Sequence, residues 1–311
     1  MGYRNNLFEV VQDSSVTTLL VDMDKTLTEN GRAYPGVPEI MERIINSGVQ
    51  VFVVSNSTFT SEGLLKNLAE RNLEHQKHFT DTFSVGEVLR DFFASSALQN
   101  KKVLTVFNVL DKRIFPTKGN IEVLNIGFDA NLLRRRLNEF NPDYIYIGTP
   151  YPDRASPLPL SEICQNFGEH IELLSSAGKP LLSGFKDTNF FENGRYITLQ
   201  GDILKEIAKL NPAASIKTFG KPDTDIFTVL SRKYPEVKYH KESVMMVGDN
   251  PETDLIFARN LGIGYTHVLT STGLSGKKAN YIIPLVSGKE NSASDYPALF
   301  NLLKDNTFCR S

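Results

Sequence analysis

Through the first eighty residues, short β-branched runs alternate with stretches whose apolar side chains recur at helical spacing. Thr17–Val21 reads as a buried strand, with Thr18-Leu19-Leu20-Val21 offering no charged position. Pro38–Asn46 carries Ile40, Ile44 and Ile45 at helical intervals, and Gly48 follows as a stop. Gln50–Val54 is the next strand, closed by Ser55-Asn56-Ser57, and Ser61–Arg71 the next helix. This β-α-β-α order predicts a parallel sheet with right-handed crossovers. The rhythm returns near the end, with strands over Ser243–Val247 and Tyr265–Thr270 around a helix over Thr253–Asn260. Tyr281–Pro284 reads as a last short strand, and Tyr296–Asp305 as a closing helix.

The texture between these halves differs. Strands are predicted over Lys102–Phe107, Tyr144–Ile147, Lys179–Ser183 and Tyr196–Leu199, with a basic helix over Ala130–Phe140. A loop rich in proline and polar residues runs from Gly148 to Pro159. The expectation is a second α/β domain, residues 84–200, inserted into a parallel α/β core built from residues 1–83 and 201–311. The chain shows no internal repeat and no low-complexity tract.

Composition changes this picture little. Of 311 residues, 41% are hydrophobic and 23% charged, which is ordinary for globular proteins and leaves room for a sizeable core. A net charge of −2 gives no reason to expect nucleic acid or an anionic membrane surface as partner. No apolar stretch reaches the ~18 residues of a membrane span. The first fifteen residues hold no apolar leader segment, so the expected address is the cytoplasm. Cys164 and Cys309 match no metal or redox spacing and read as free thiols.

Candidate chemistry sits just past the strand tips. Asp22-Met23-Asp24-Lys25-Thr26 follows the first strand, and two carboxylates one residue apart can act jointly in the crevice beyond a parallel sheet. Ser55 and Asn56 follow the second strand and can hydrogen-bond a phosphate oxygen without adding charge; both also suit an ordinary turn. Lys221, in Phe219-Gly220-Lys221-Pro222, can neutralise a phosphoryl group and the carboxylate attacking it. Its structural alternative is a solvated surface lysine. Gly248-Asp249-Asn250-Pro251-Glu252-Thr253-Asp254 places two acids around a helix start, where they can hold a hard divalent cation such as magnesium. The alternative there is helix capping, which suits Asp254 better than Asp249.

These four motifs in this order resemble the haloacid dehalogenase superfamily of phosphotransferases. Only 30 residues separate Asp24 from Ser55, too few for a cap domain, whereas 165 separate Ser55 from Lys221. A cap in that second position is similar to the C2-capped class IIA branch, which holds 4-nitrophenyl phosphatase-like, phosphoglycolate phosphatase-like and pyridoxal phosphatase-like enzymes. The resemblance implies a Rossmann-like parallel-sheet core with an inserted α/β C2-type cap. It implies a magnesium-dependent phosphatase for a small phosphorylated metabolite. Asp22 would be the nucleophile, Asp24 the acid/base, and Ser55, Asn56 and Lys221 the phosphate binders. Magnesium would be held by Asp22, Asp249 and the backbone carbonyl of Asp24, with Asp254 behind them. The branch also implies a homodimer through the cap. A weakly catalytic binding or regulatory protein and a phosphosugar mutase are the competing functions. A dehalogenase is disfavoured because Asp24 supplies the acid/base group that phosphoryl transfer needs.

Two departures stand out. Lys25 occupies a position where that branch usually has glycine, and Leu182–Asp187 lies where it often carries Thr-Asn-Pro-Asp. Asp153, Arg154, Lys186 and Asp187 are the candidate cap residues for specificity. His75 and His78 have metal-like spacing but no companion ligands, and are expected at a solvated helix end. Arg134-Arg135-Arg136 is expected on the polar face of an amphipathic helix whose apolar face is Leu132, Leu133, Leu137 and Phe140.

Overall fold

The computed structural model describes residues 7–12, 14–109, 111–116, 121–150, 160–187, 189–192, 195–268 and 282–285. The expected helix Tyr296–Asp305, the candidates Asp153 and Arg154, and Cys309 lie outside these residues. In chain order, α1 (Leu7–Gln12) precedes β1 (Thr18–Val21), the short pair β2 (Thr28–Glu29) and β3 (Arg32–Ala33), α2 (Val37–Asn46) and β4 (Gln50–Ser55). Then come α3 (Ser61–Ala69), β5 (Asp81–Ser84), α4 (Val85–Ala94), β6 (Lys102–Val106), β7 (Glu122–Gly127), α5 (Ala130–Glu139) and β8 (Tyr144–Ile147). They are followed by α6 (Leu160–Ser176), β9 (Leu181–Ser183), β10 (Asn189–Glu192), β11 (Arg195–Thr198), α7 (Gln200–Leu210), β12 (Ile216–Thr218) and α8 (Asp225–Lys233). The last described elements are α9 (Pro235–Tyr239), β13 (Val244–Gly248), α10 (Ile256–Leu261), β14 (Gly264–Val268) and β15 (Ile282–Leu285).

The described residues fall into two compact units. One comprises those within Met1–Val53, Arg71–Asp81 and Tyr234–Ser311; the other, those within Val54–Glu70 and Thr82–Lys233.

A six-stranded sheet runs in the order β15-β14-β13-β1-β4-β5. β1 pairs in parallel with β13 and β4, so that Val21 faces both Val247 and Val53. All four residues of β1 are buried, as are all five of β13, which explains why both read as unbroken apolar runs. The chain leaves β1 toward β4 on one side, while β13 and β14 extend the sheet on the other. The carboxyl ends of β1 and β13 therefore form a topological switch point, the position where open α/β sheets place ligands. β15 runs antiparallel to β14 and closes that edge of the sheet. Pro284 lies within it opposite Thr266, and proline, lacking an N–H, is accommodated on an edge strand.

The second unit is built on a five-stranded parallel sheet, ordered β12-β9-β8-β6-β7. Its core gathers Leu104, Val106, Ile145, Ile147, Ile171 and Ile203. The basic helix α5 behaves as expected. Leu133 is buried, and Leu132 and Leu137 pack on the core. Arg134 pairs with Glu169 at 2.8 Å and Arg136 with Glu139 at 3.0 Å, so these cations are met within the fold.

Candidate active site

In the first unit, Asp22 begins where β1 ends, and its N–H donates to the Val247 carbonyl on β13 at 2.8 Å. That bond sets the Asp22 backbone beside the strand that leads to Asp249. The carboxylates of Asp22, Asp249 and Asp254 each offer an oxygen within 4.8 Å of the others, and this is the only such group among the described residues. Asp254 is buried and the other two are half-buried.

The helix after Asp249 opens as a wide turn over Pro251–Leu255, an arrangement common near functional sites. Asn250, not Asp249, caps it, its side chain accepting from the Glu252 N–H at 3.0 Å. Asp254 reaches back to accept from the Asn250 N–H at 3.2 Å. Asp249 is thereby spared from capping. Gly248 is required by close approach: a Cβ there would lie 2.1 Å from Asp254 Oδ2.

Behind this turn, Tyr265 and His267 of β14 form a buried chain. Tyr265 Oη donates to the Gly248 carbonyl at 3.2 Å and lies 2.9 Å from His267 Nδ1. Both contacts are met when His267 Nδ1 carries the proton and donates to Tyr265. Burial holds His267 down to about 4, so the ring is neutral near pH 7. Burial, then the charges of Asp254, Asp249 and Asp22, push the Tyr265 phenol well above its usual value and keep it a donor. The sequence reading missed this pair.

The turn after β1 holds Lys25 in a backbone conformation that would suit glycine better. Lys25 adopts φ +62°, in the left-handed region where glycine is favoured. Its N–H donates to the Thr28 carbonyl at 2.6 Å, a backbone bond that does not depend on the side chain. Lys25→Gly is therefore expected to stabilise the protein by about 0.5–1 kcal/mol, measured as a higher denaturation midpoint. A lower midpoint would show that the lysine side chain contributes more than the backbone strain costs.

Asp24 does not join the acidic trio among the described residues. Its Oδ1 accepts from Arg71 at 3.1 Å and lies 3.4 Å from the Thr28 hydroxyl. Thr26 is fully buried, its hydroxyl 3.5 Å from Asp249 Oδ1.

In the second unit, Ser55 closes β4 and is buried, its hydroxyl accepting from the Ser57 N–H at 3.1 Å. Asn56 brackets the main chain of Lys221: its Oδ1 accepts from the Lys221 N–H at 2.7 Å and its Nδ2 donates to the Lys221 carbonyl at 3.1 Å. The same Nδ2 lies 3.0 Å from Asp187 Oδ2. The Asn56 amide thus positions Lys221 directly. Lys221 is 1% exposed, which overturns the surface-lysine alternative. Gly220 allows this approach, since a Cβ there would stand 2.7 Å from Asn56 Oδ1.

The segment after Asn56 is pinned as well. Asp111 accepts from the Thr60 N–H and hydroxyl at the start of α3 and pairs with Arg113 at 2.8 Å. Burial alone would raise the Asp111 carboxyl, but these bonds outweigh it and hold the group at about 2. Of the cap candidates, Asp187 meets Asn56, whereas Lys186 is exposed and pairs with Asp223 at 3.0 Å. His78 corrects an expectation: it is buried rather than solvated, and its Nδ1 accepts from the Glu74 N–H at 2.8 Å.

A family model of haloacid dehalogenase-like hydrolases matches residues 19–117, and a HAD-hydrolase-like model matches residues 218–283. A 4-nitrophenylphosphatase of Schizosaccharomyces pombe is 25% identical over 270 residues, covering 82% of this chain and 84% of that protein. A haloacid dehalogenase-like hydrolase from Brucella suis superposes with a TM-score of 0.69 at 15% identity, over 88% of this chain and 94% of its own. A glycerol phosphate phosphatase from Mycobacterium tuberculosis, solved in complex with magnesium, gives a TM-score of 0.57 at 16% identity, over 82% of this chain and 68% of its own. The two matched segments carry the strand-tip acids at 22, 24, 249 and 254, and the chain belongs to the haloacid dehalogenase-like hydrolases.

Proposed function

We propose that this chain is a magnesium-dependent phosphatase that hydrolyses a small phosphomonoester through an aspartyl-phosphate on Asp22. The observation that carries the reading is the trio Asp22, Asp249 and Asp254 at the β1/β13 switch point. Three like charges this close repel one another unless a cation joins them. An all-oxygen donor set suits a hard divalent ion that keeps some of its water. Asp22, Asp249 and the Asp24 backbone carbonyl would hold magnesium, and buried Asp254 would steady the site from behind. When bound, the ion offsets the charge on the phosphoryl oxygens as an anionic nucleophile approaches them.

The chain's own residues do the rest. Asp22 attacks phosphorus, and covalent catalysis divides one hard hydrolysis into two displacements. Asp24 gives a proton to the leaving oxygen and then takes one from the attacking water. Ser55 binds the transferring group, Lys221 neutralises it, and Asn56 holds Lys221 in place. Residues 84–200 serve as the cap over a core of 1–83 and 201–311, excluding water until the leaving group is seated. The names of the fission yeast and mycobacterial relatives support phosphomonoesters as the substrate class.

The test is hydrolysis of 4-nitrophenyl phosphate before and after metal removal. Chelation is expected to lower turnover by about 10²-fold, with recovery on adding magnesium, because the ion supplies several kcal/mol of charge stabilisation. Unchanged turnover in chelated protein would remove magnesium from the reading.

A further inference from the structure

Arg71 is buried without being part of a core ion pair. Its side chain is 6% exposed, while that of its carboxylate partner Asp24 is 58% exposed. Pairs with one solvent-facing member contribute about 0–1 kcal/mol, and burying a guanidinium costs desolvation, so stability alone is a poor reason for this contact. The geometry is specific instead. One nitrogen, Nη1, donates both to Asp24 Oδ1 at 3.1 Å and to the Thr28 hydroxyl at 2.5 Å. Thr28, itself buried, lies 3.4 Å from the same Asp24 oxygen. Among the described residues, the side-chain contacts of Asp24 fall on Oδ1.

Resting on the phosphatase reading, we propose that Arg71, with Thr28, is the positioning residue for Asp24. The pair anchors Oδ1 and leaves Oδ2 aimed as the proton-carrying oxygen. In the first displacement an Asp22 oxygen bonds to phosphorus, the bond from phosphorus to the leaving oxygen breaks, and that oxygen takes the proton from Asp24 Oδ2. In the second, Asp24 Oδ2 takes a proton from water as the water oxygen displaces Asp22. Inorganic phosphate leaves, and the two proton transfers cancel, so that both carboxylates return to their starting states. Arg71 touches neither substrate nor the reacting atoms.

The experiment compares kcat and KM for 4-nitrophenyl phosphate and phenyl phosphate, which differ in how far the departing oxygen needs a proton. Nitrophenolate leaves readily as an anion, and phenolate does not. Arg71→Met is expected to lower kcat/KM, which reports the first displacement alone, by about 30-fold for phenyl phosphate and by no more than about 3-fold for 4-nitrophenyl phosphate, within the range that positioned proton transfer supplies. Arg71→Lys should restore part of the phenyl phosphate value. Thr28→Val, which keeps side-chain volume, should shift the ratio in the same direction and carries the test if Arg71→Met melts early. An equal fall in kcat/KM on both substrates, or an unchanged ratio in both variants, overturns the proposal. No turnover of either substrate by the wild type overturns the phosphatase reading, and this inference with it.

Discussion

Asp22→Asn is expected to abolish turnover of 4-nitrophenyl phosphate, a loss of about 10⁴-fold or more, as for other covalent nucleophiles. The side chain keeps its shape, and the backbone bond from residue 22 to Val247 is unaffected. What disappears is the anionic oxygen that forms the bond to phosphorus. The same change removes one of three carboxylates lying within 4.8 Å of one another, which relieves repulsion on the order of 1 kcal/mol in metal-free protein. The metal-free variant should therefore melt at or above the wild-type temperature while its activity vanishes. A scaffold role for Asp22 would give the opposite pairing, with lower stability and proportionate activity. Full activity in the variant would eliminate the aspartyl-phosphate mechanism.

The parts of the molecule that were legible in the sequence are those in which a local pattern is sufficient. β1, β4, β13 and β8 are buried runs with little polar interruption, and each is found within a residue or two of its expected bounds. The helix expected from Pro38 starts one residue earlier, and the proline sits in its first turn, where a missing N–H costs nothing. The hairpin of β2 and β3 was missed despite a local cue. Asn30 and Gly31 both take positive φ, as the tight two-residue turn between such strands requires.

The site divides along the same line. Strand-tip acids can be read because the motif and the strand end are adjacent in sequence. Arg71 could not be read, since it meets Asp24 across 47 positions and looks from the sequence like an ordinary helix-end cation. Tyr265 and His267 looked like strand residues of alternating polarity; their function as a buried tether on Gly248 depends on the pairing of β13 with β14. The wide turn at Pro251 likewise depends on Asp254 folding back over Gly248, which helical periodicity does not report. Asp187 meets Asn56 across 131 positions, a contact that no local pattern reports.

Lys221→Met should separate function from folding most sharply in the second unit. The lysine is almost completely buried, and burying an ammonium group is unfavourable in itself. Methionine has a similar length and no charge to desolvate. The bracket from Asn56 uses only the main-chain N–H and carbonyl of residue 221, so it survives the substitution, as does the approach that Gly220 permits. The main-chain geometry around residue 221 is accordingly expected to persist, and the variant to melt in a single cooperative transition. Activity should fall by about 10³-fold, because a fixed cation that neutralises the transferring group in a water-poor setting is worth more than the same charge in solvent. The loss should appear in kcat, since the charge on the transferring group is met most closely in the transition state. Lys221→Arg should not rescue it, because a bulkier, planar, forked guanidinium does not replace a compact point charge at a position that is 1% exposed. If Lys221→Met instead unfolded the protein while the surviving fraction kept full specific activity, the buried lysine would be a structural ion, and phosphate neutralisation would have to come from elsewhere in the chain.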